Sequence, residues 1–191
     1  KEGNLRFFEF GNCYVYDAEK RNAEKVLAPY SEELHLGLWL TGKRVMDSWA
    51  HANEDSSIYE LKGYAMNVLS RLGVPLGGLL IKEGTNDIFS KSLSVEDRNG
   101  KVCLELGLVS KALLVACDVE QEVYYADFNW SVLMKKLPKK EVSYSELSKF
   151  PAVRRDLALL LDVSVPFAEV ERVARSCEKK LLRKVELFDV Y

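Results

Sequence analysis

One run divides this chain: Lys135-Lys136-Leu137-Pro138-Lys139-Lys140-Glu141. A folded core cannot absorb four ammonium groups in seven residues, because an unpaired buried charge costs roughly several kcal/mol. Pro138 also removes a backbone donor and fixes its own φ. The run reads as a solvated linker. The chain is therefore expected to fold as two pieces, residues 1–140 and 141–191. Apolar residues make up 48% of the 191 and charged residues 29%, so both pieces have the composition of packed rather than disordered polypeptide. The net charge of −2 excludes a uniformly basic nucleic-acid coat. No apolar run reaches the ~20 residues of a membrane helix.

The first piece alternates strand and helix signals without a parallel βαβ rhythm. Asn4–Tyr16 is dense in aromatic and β-branched residues and reads as a long strand with a break at Gly11. Its aromatics Phe7, Phe8, Phe10, Tyr14 and Tyr16 suit burial on both faces of a covered sheet. Residues 17–33 read as irregular, and His35–Thr41 as a second strand. Ser56–Gly73 is an amphipathic helix, with Ile58, Leu61, Ala65, Val68, Leu69 and Leu72 on one face. Asp55 or Ser56 caps it and Gly73 stops it. Leu79–Ile81 reads as a short strand. Asn99-Gly100 marks a hairpin between segments near 90–95 and 101–109. A short helix over Ser110–Ala116, a strand over Val123–Phe128 and a helical turn over Asn129–Lys136 complete an α+β piece. Its sheet is expected to be antiparallel, with helices packed on it.

The second piece carries a different pattern. Leu157–Leu161 reads as a strand buried on both faces, Ser164-Val165-Pro166 opens a helix, and Arg183–Tyr191 reads as another strand. Strand, helix, strand is half of a ferredoxin-like unit, so a domain of that kind is expected to be present in part. Arg154, Arg155 and Asp156 stand at the head of the apolar run. An arginine fork donates two hydrogen bonds at once and suits phosphate, but a solvated lip paired to Asp156 is the plainer account. Lys179, Lys180, Arg183 and Lys184 form a second basic group, which also complements a helix C-terminus. Adjacent extended residues face opposite ways. One of the two arginines is therefore expected to meet a carboxylate, Asp156 or Asp189, and the other to remain free.

No residue set points to catalysis or to a metal. Cys13, Cys103, Cys117 and Cys177 sit among apolar neighbours and form no C-x-x-C, which suits buried reduced thiols in the cytoplasm. His35 and His51 have no partner at ligand spacing. Glu9 reads as a structural carboxylate paired with Arg6 or a backbone amide. Gly63 reads as room for close helix packing.

Three short motifs in order carry a family resemblance: Lys149-Phe150-Pro151, Arg154-Arg155-Asp156 and Leu187-Phe188-Asp189-Val190-Tyr191. With the helix between them they resemble the start of the anticodon-binding domain of the bacterial phenylalanyl-tRNA synthetase beta subunit. Upstream, "LRFFEFGNCYVY", "LGLWLTG", "IYELKGYAMNVLSRLG", "LELGLVSK" and "VYYADFNW" look like segments of that subunit's class II catalytic-like domain. The resemblance implies a C-terminal fragment of the subunit, with the start of one domain and the end of the other missing.

It further implies a parent complex of two alpha and two beta chains that joins phenylalanine to tRNA(Phe) with ATP and magnesium in the cytoplasm, without a membrane. The alpha chain carries the chemistry. The present chain is expected to hold no cofactor, to be inactive alone, and to serve as scaffold and tRNA-docking piece. A working class II core grips ATP with an arginine on an early strand and another after a late Gly-rich strand. Here Arg6 is followed by Phe7-Phe8-Glu9-Phe10, and "VYYADFNWSVL" has neither the glycines nor the arginine. On this resemblance Lys149, Arg154, Arg155, Lys179, Lys180, Arg183 and Lys184 are the candidate tRNA contacts. An active ligase domain and a free-standing RNA-binding module are the alternatives. The missing arginines argue against the first, and the neutral charge balance against the second.

Overall fold

The computed structural model describes residues 3–45, 47–137, 144, 146–147 and 149–190, and the chain divides into two units, Lys1–Glu141 and Val142–Tyr191. In the first unit β1 (Leu5–Tyr16) and β2 (Tyr30–Thr41) pair antiparallel over their full length, Leu5 opposite Thr41 and Tyr16 opposite Tyr30. β2 therefore starts at Tyr30 rather than at His35. Polar Ser31, Glu32 and Glu33 are drawn into the strand because β1 supplies a ladder for them. Gly11 produces no break. Four further strands follow: β3 (Leu80–Glu83), β4 (Phe89–Glu96), β5 (Val102–Val109) and β6 (Val123–Asn129). The sheet is antiparallel with order β1-β2-β6-β5-β4-β3. Gly100 takes φ +77 in the β4–β5 hairpin, a conformation that costs glycine nothing.

The period of two decides what each sheet face carries. Leu36, Leu38 and Leu40 of β2, Ala126 and Phe128 of β6, and Leu104 and Leu106 of β5 share one face by register. α1 (Ile58–Arg71) and α3 (Trp130–Met134) cover that face. α1 turns Leu61, Ala65 and Leu69 inward, one per helical turn. Its N-cap is Ser57, whose hydroxyl accepts from the Glu60 amide at 3.3 Å, one residue beyond the expected cap. Gly73 ends it at φ +76. Phe128, Leu104, Leu106 and Leu133 are fully buried, and each contributes about 1.5–3 kcal/mol of burial. Gly63 faces open space, so it is not a close-packing glycine. α2 (Lys111–Ala116) is the expected short helix.

The aromatics of β1 are not core. Phe7, Phe8, Phe10, Tyr14 and Tyr16 are all exposed, Phe8 and Tyr14 by 74% and 77%. The cause is position. β1 is an edge strand, and β6 reaches β2 only over His35–Thr41. Beyond that point Asn12–Tyr16 and Tyr30–Leu34 continue as a two-stranded ribbon with Tyr16 against Tyr30 at 5.2 Å. Composition alone does not separate an edge strand from a central one.

The second unit contains a single regular element among its described residues, α4 (Phe167–Cys177), which begins directly after Pro166 as expected. The two flanking strands do not form. Residues 151–162 and 182–190 are without ladder partners among the described residues, and Leu157, Leu159, Leu160 and Leu161 are exposed rather than buried on both faces. A strand exists only through its neighbour, and among the described residues neither segment has one. Residues 138–143, most of the expected linker, and Tyr191 lie outside the described residues.

Candidate functional site

The sheet face away from α1 and α3 is where the first unit gathers its polar and aromatic side chains. Register places three rows on it. Glu9, Gly37, Asp127, Glu105 and Ser94 lie side by side across five strands. Phe7, Trp39, Tyr125, Gly107 and Ser92 form the next row. Gly11, His35 and Asn129 form the third. Down to Ser92 and Ser94 these rows hold no arginine or lysine.

The carboxylates are held in separate ways. Asp127 and Glu105 stand directly opposite each other, an unfavourable like-charge pair unless each has a partner. His35 Nδ1 lies 2.8 Å from Asp127, and the Asn86 amide donates to Glu105 at 2.9 Å. His35 Nε2 is 3.6 Å from Glu33, which accepts from Asn129 at 2.6 Å. Burial, then Asp127 and Glu33, pushes the Cys13 thiol up, so this cysteine is a poor nucleophile at neutral pH. Burial, with Asp127 and Cys13, drives the Tyr125 hydroxyl well above the usual phenol range.

Aromatic rings fill the middle of the face. Trp39 folds back over Gly37 and stacks on Tyr125 at 4.9 Å, and Phe89 lies 6.1 Å from Tyr125. This surface cannot receive a nucleotide triphosphate. At ~5 Å each like-charge contact costs on the order of 3 kcal/mol at an effective dielectric of ~20, and no cation in the rows offsets it. Among the described residues no group of three or more His, Cys, Asp or Glu side chains converges to hold a metal. The residues present do not fit ATP and magnesium.

Arg6 turns away from this face. Its guanidinium donates to the Arg44 carbonyl at 3.0 Å and to Glu60 Oε1 at 3.2 Å, and Tyr64 donates to the same oxygen at 2.8 Å. Glu60 and its neighbours hold the Arg6 proton more tightly than usual, against the cost of burial. Arg6 thus pairs with Glu60, not with Glu9. Three residues apart on a strand, Arg6 and Glu9 project from opposite faces. The cysteines depart from expectation as well: Cys103 is buried, but Cys13, Cys117 and Cys177 are exposed. Sequence reasoning missed His35, Trp39, Tyr125 and Asp127 as a cluster. Their only common signal is parity along strands whose register is tertiary.

In the second unit all seven candidate cations, Lys149, Arg154, Arg155, Lys179, Lys180, Arg183 and Lys184, are exposed. Arg154 meets Asp156 at 3.4 Å and Lys184 meets Glu186 at 2.5 Å. Arg155, Lys179, Lys180 and Arg183 have no carboxylate in reach among the described residues. The arginines divide as expected, one paired and one free, although the strand that was to separate them is absent. Arg154 and Asp156 meet because residues i and i+2 of an extended segment share a side. Past α4, Glu178 accepts from the Lys180 and Leu181 amides at 2.7 and 2.9 Å, which lowers its carboxyl and turns the basic run. No bond among the described residues joins Arg155 to that run.

Comparison with known proteins finds relatives over the whole chain. The family described as phenylalanyl tRNA synthetase beta chain CLM domain matches residues 1–130, and the ferredoxin-fold anticodon binding domain matches residues 148–191. The chain is 59% identical over its whole length to a phenylalanine–tRNA ligase beta subunit of Bacteroides thetaiotaomicron, and 46% identical to that of Porphyromonas gingivalis. It spans 23% of the length of each of these relatives. Among solved structures it is similar to a pyrrolysyl-tRNA synthetase of Desulfitobacterium hafniense, at TM-score 0.47 and 16% identity, over 70% of this chain and 42% of that one. No described helix is long and apolar enough to cross a membrane. The chain belongs to the phenylalanyl-tRNA synthetase beta chain family.

Proposed function

We propose that this chain is the scaffold and tRNA-docking portion of a phenylalanine–tRNA ligase beta subunit, in a cytoplasmic complex of two alpha and two beta chains. Residues 1–140 act as a class II-like body without chemistry, and residues 141–191 as part of the anticodon-binding domain. ATP, magnesium and phenylalanine are handled by the alpha chain, because the rows of carboxylates and aromatics from β1 to β4 hold no arginine or lysine for a triphosphate.

The observation that carries the scaffold role is β1. This edge strand of 12 residues exposes Phe7, Phe8, Phe10, Tyr14 and Tyr16. A long apolar edge invites pairing or cover by another chain. The opposite edge, β3, has four residues and presents Lys82 and Glu83, the usual guards of a free edge. For tRNA, Arg155, Lys179, Lys180 and Arg183 are without a carboxylate among the described residues, and Lys149, Arg154 and Lys184 complete the proposed contact set. The test is pyrophosphate exchange with phenylalanine, first with this chain alone and then with the reconstituted alpha–beta complex. The chain alone should show background exchange and the complex full activity. Exchange by the isolated chain would overturn the proposal.

A further inference from the structure

The groove between β1 and α1 differs in charge from the acidic sheet face. It encloses about 500 Å³, and Phe8, Leu38, Val68 and Leu72 give it an apolar lining, with Arg6 and Arg71 at its sides. No lining residue is acidic, in a chain with 29 acidic and 27 basic side chains. Arg6 is already matched by Glu60 at 3.2 Å. Arg71, in the last turn of α1, has no carboxylate in reach among the described residues. The groove therefore carries one uncompensated guanidinium over an apolar floor, and Phe8 on its lip is 74% exposed.

We infer that this groove receives an apolar segment of the partner polypeptide that bears a carboxylate, with the carboxylate on Arg71 and apolar side chains against Phe8, Val68 and Leu72. The inference rests on the scaffold reading and adds the kind of segment that docks. An apolar floor gains most from apolar side chains in a desolvated pocket. The unmatched guanidinium selects an acid and rejects a basic segment. Its planar fork binds a carboxylate through two parallel hydrogen bonds, which a lysine cannot reproduce. A phosphate backbone would satisfy Arg71 but leave the apolar floor uncovered.

The experiment uses the full-length beta subunit carrying this chain and the catalytic alpha subunit, with the dissociation constant of the pair measured by sedimentation. Arg71→Glu and Phe8→Asp should each weaken the pair at least about tenfold. Arg71→Lys should recover part of the loss. Tyr59→Asp, on the same helix but outside the groove, should change little. An acid-to-arginine substitution in alpha that restores binding to Arg71→Glu would identify the docked carboxylate. Phe8 and Arg71 are exposed, so the variants should fold, and near-UV circular dichroism checks that. If the pair forms and both groove variants bind like wild type, the groove inference falls and the scaffold reading stands. If no pair forms, both fall. A groove variant that changes only beta self-association, or only tRNA affinity, would show the wrong occupant and overturn the inference.

Discussion

Gly37→Ala tests whether the aromatic filling of the acidic face is built by the chain itself. A Cβ at Gly37 would lie 2.2 Å from Trp39 Cη2 and under 3 Å from two more indole carbons. No real Cβ tolerates that approach, so the indole must swing off Gly37 and off Tyr125. The lost stack is worth about 1 kcal/mol. Re-exposing ~40 Å² of indole costs about 1 kcal/mol more. Against this, alanine stiffens the unfolded chain and returns ~0.4–1 kcal/mol. The net loss is about 1–1.5 kcal/mol. Gly11 supplies the control, since it faces the same side of the sheet and a Cβ there meets nothing within 4 Å. Gly11→Ala should gain ~0.4–1 kcal/mol by the same unfolded-state effect. The unfolded-state contribution cancels between the two variants, leaving about 2 kcal/mol for the displaced indole. Urea unfolding followed by near-UV circular dichroism reads both the stability difference and the Trp39–Tyr125 signal. Equal stabilities, or an unchanged aromatic spectrum in Gly37→Ala, would refute the reasoning.

Asp97 accepts from the Asn99 and Lys101 amides at 2.9 and 2.7 Å and pairs with Lys136, and Lys136 foremost holds its carboxyl below the usual range. A depressed folded pKa stabilises above the unfolded value and is lost as pH falls through the folded one. Stability should therefore drop as pH falls below about 4, and Asp97→Asn should remove that part of an acid-unfolding curve. In tRNA filter binding by the full subunit, Arg155→Ala should weaken affinity and lower the salt slope by about 1. Arg154→Ala should do less, because Asp156 already occupies that guanidinium. A thiol reagent under native conditions should modify Cys117 and Cys177 ahead of Cys13, whose thiol is pushed up, and should reach buried Cys103 last.

The linear pattern was enough for three elements whose signals are local. α1 announces itself through one apolar residue per turn and a glycine stop. The β4–β5 hairpin does so through Asn99-Gly100, and α4 through Pro166 and its amphipathic face. The family resemblance was also complete in the sequence, since its motifs are contiguous.

Tertiary structure decided everything that depends on which strand lies beside which. "LRFFEFGNCYVY" has the composition of a central strand, yet sheet order makes β1 an edge and turns its aromatics outward. Register alone sets Glu9, Asp127 and Glu105 in one row and sends Arg6 to the opposite side, onto Glu60. Leu157–Leu161 shows the same dependence from the other direction. Its apolar run is a strand by composition and an exposed segment in fact. Side-chain alternation and helical period are local properties of the backbone. A β-ladder is a contract between two segments, and its register is written in neither one alone.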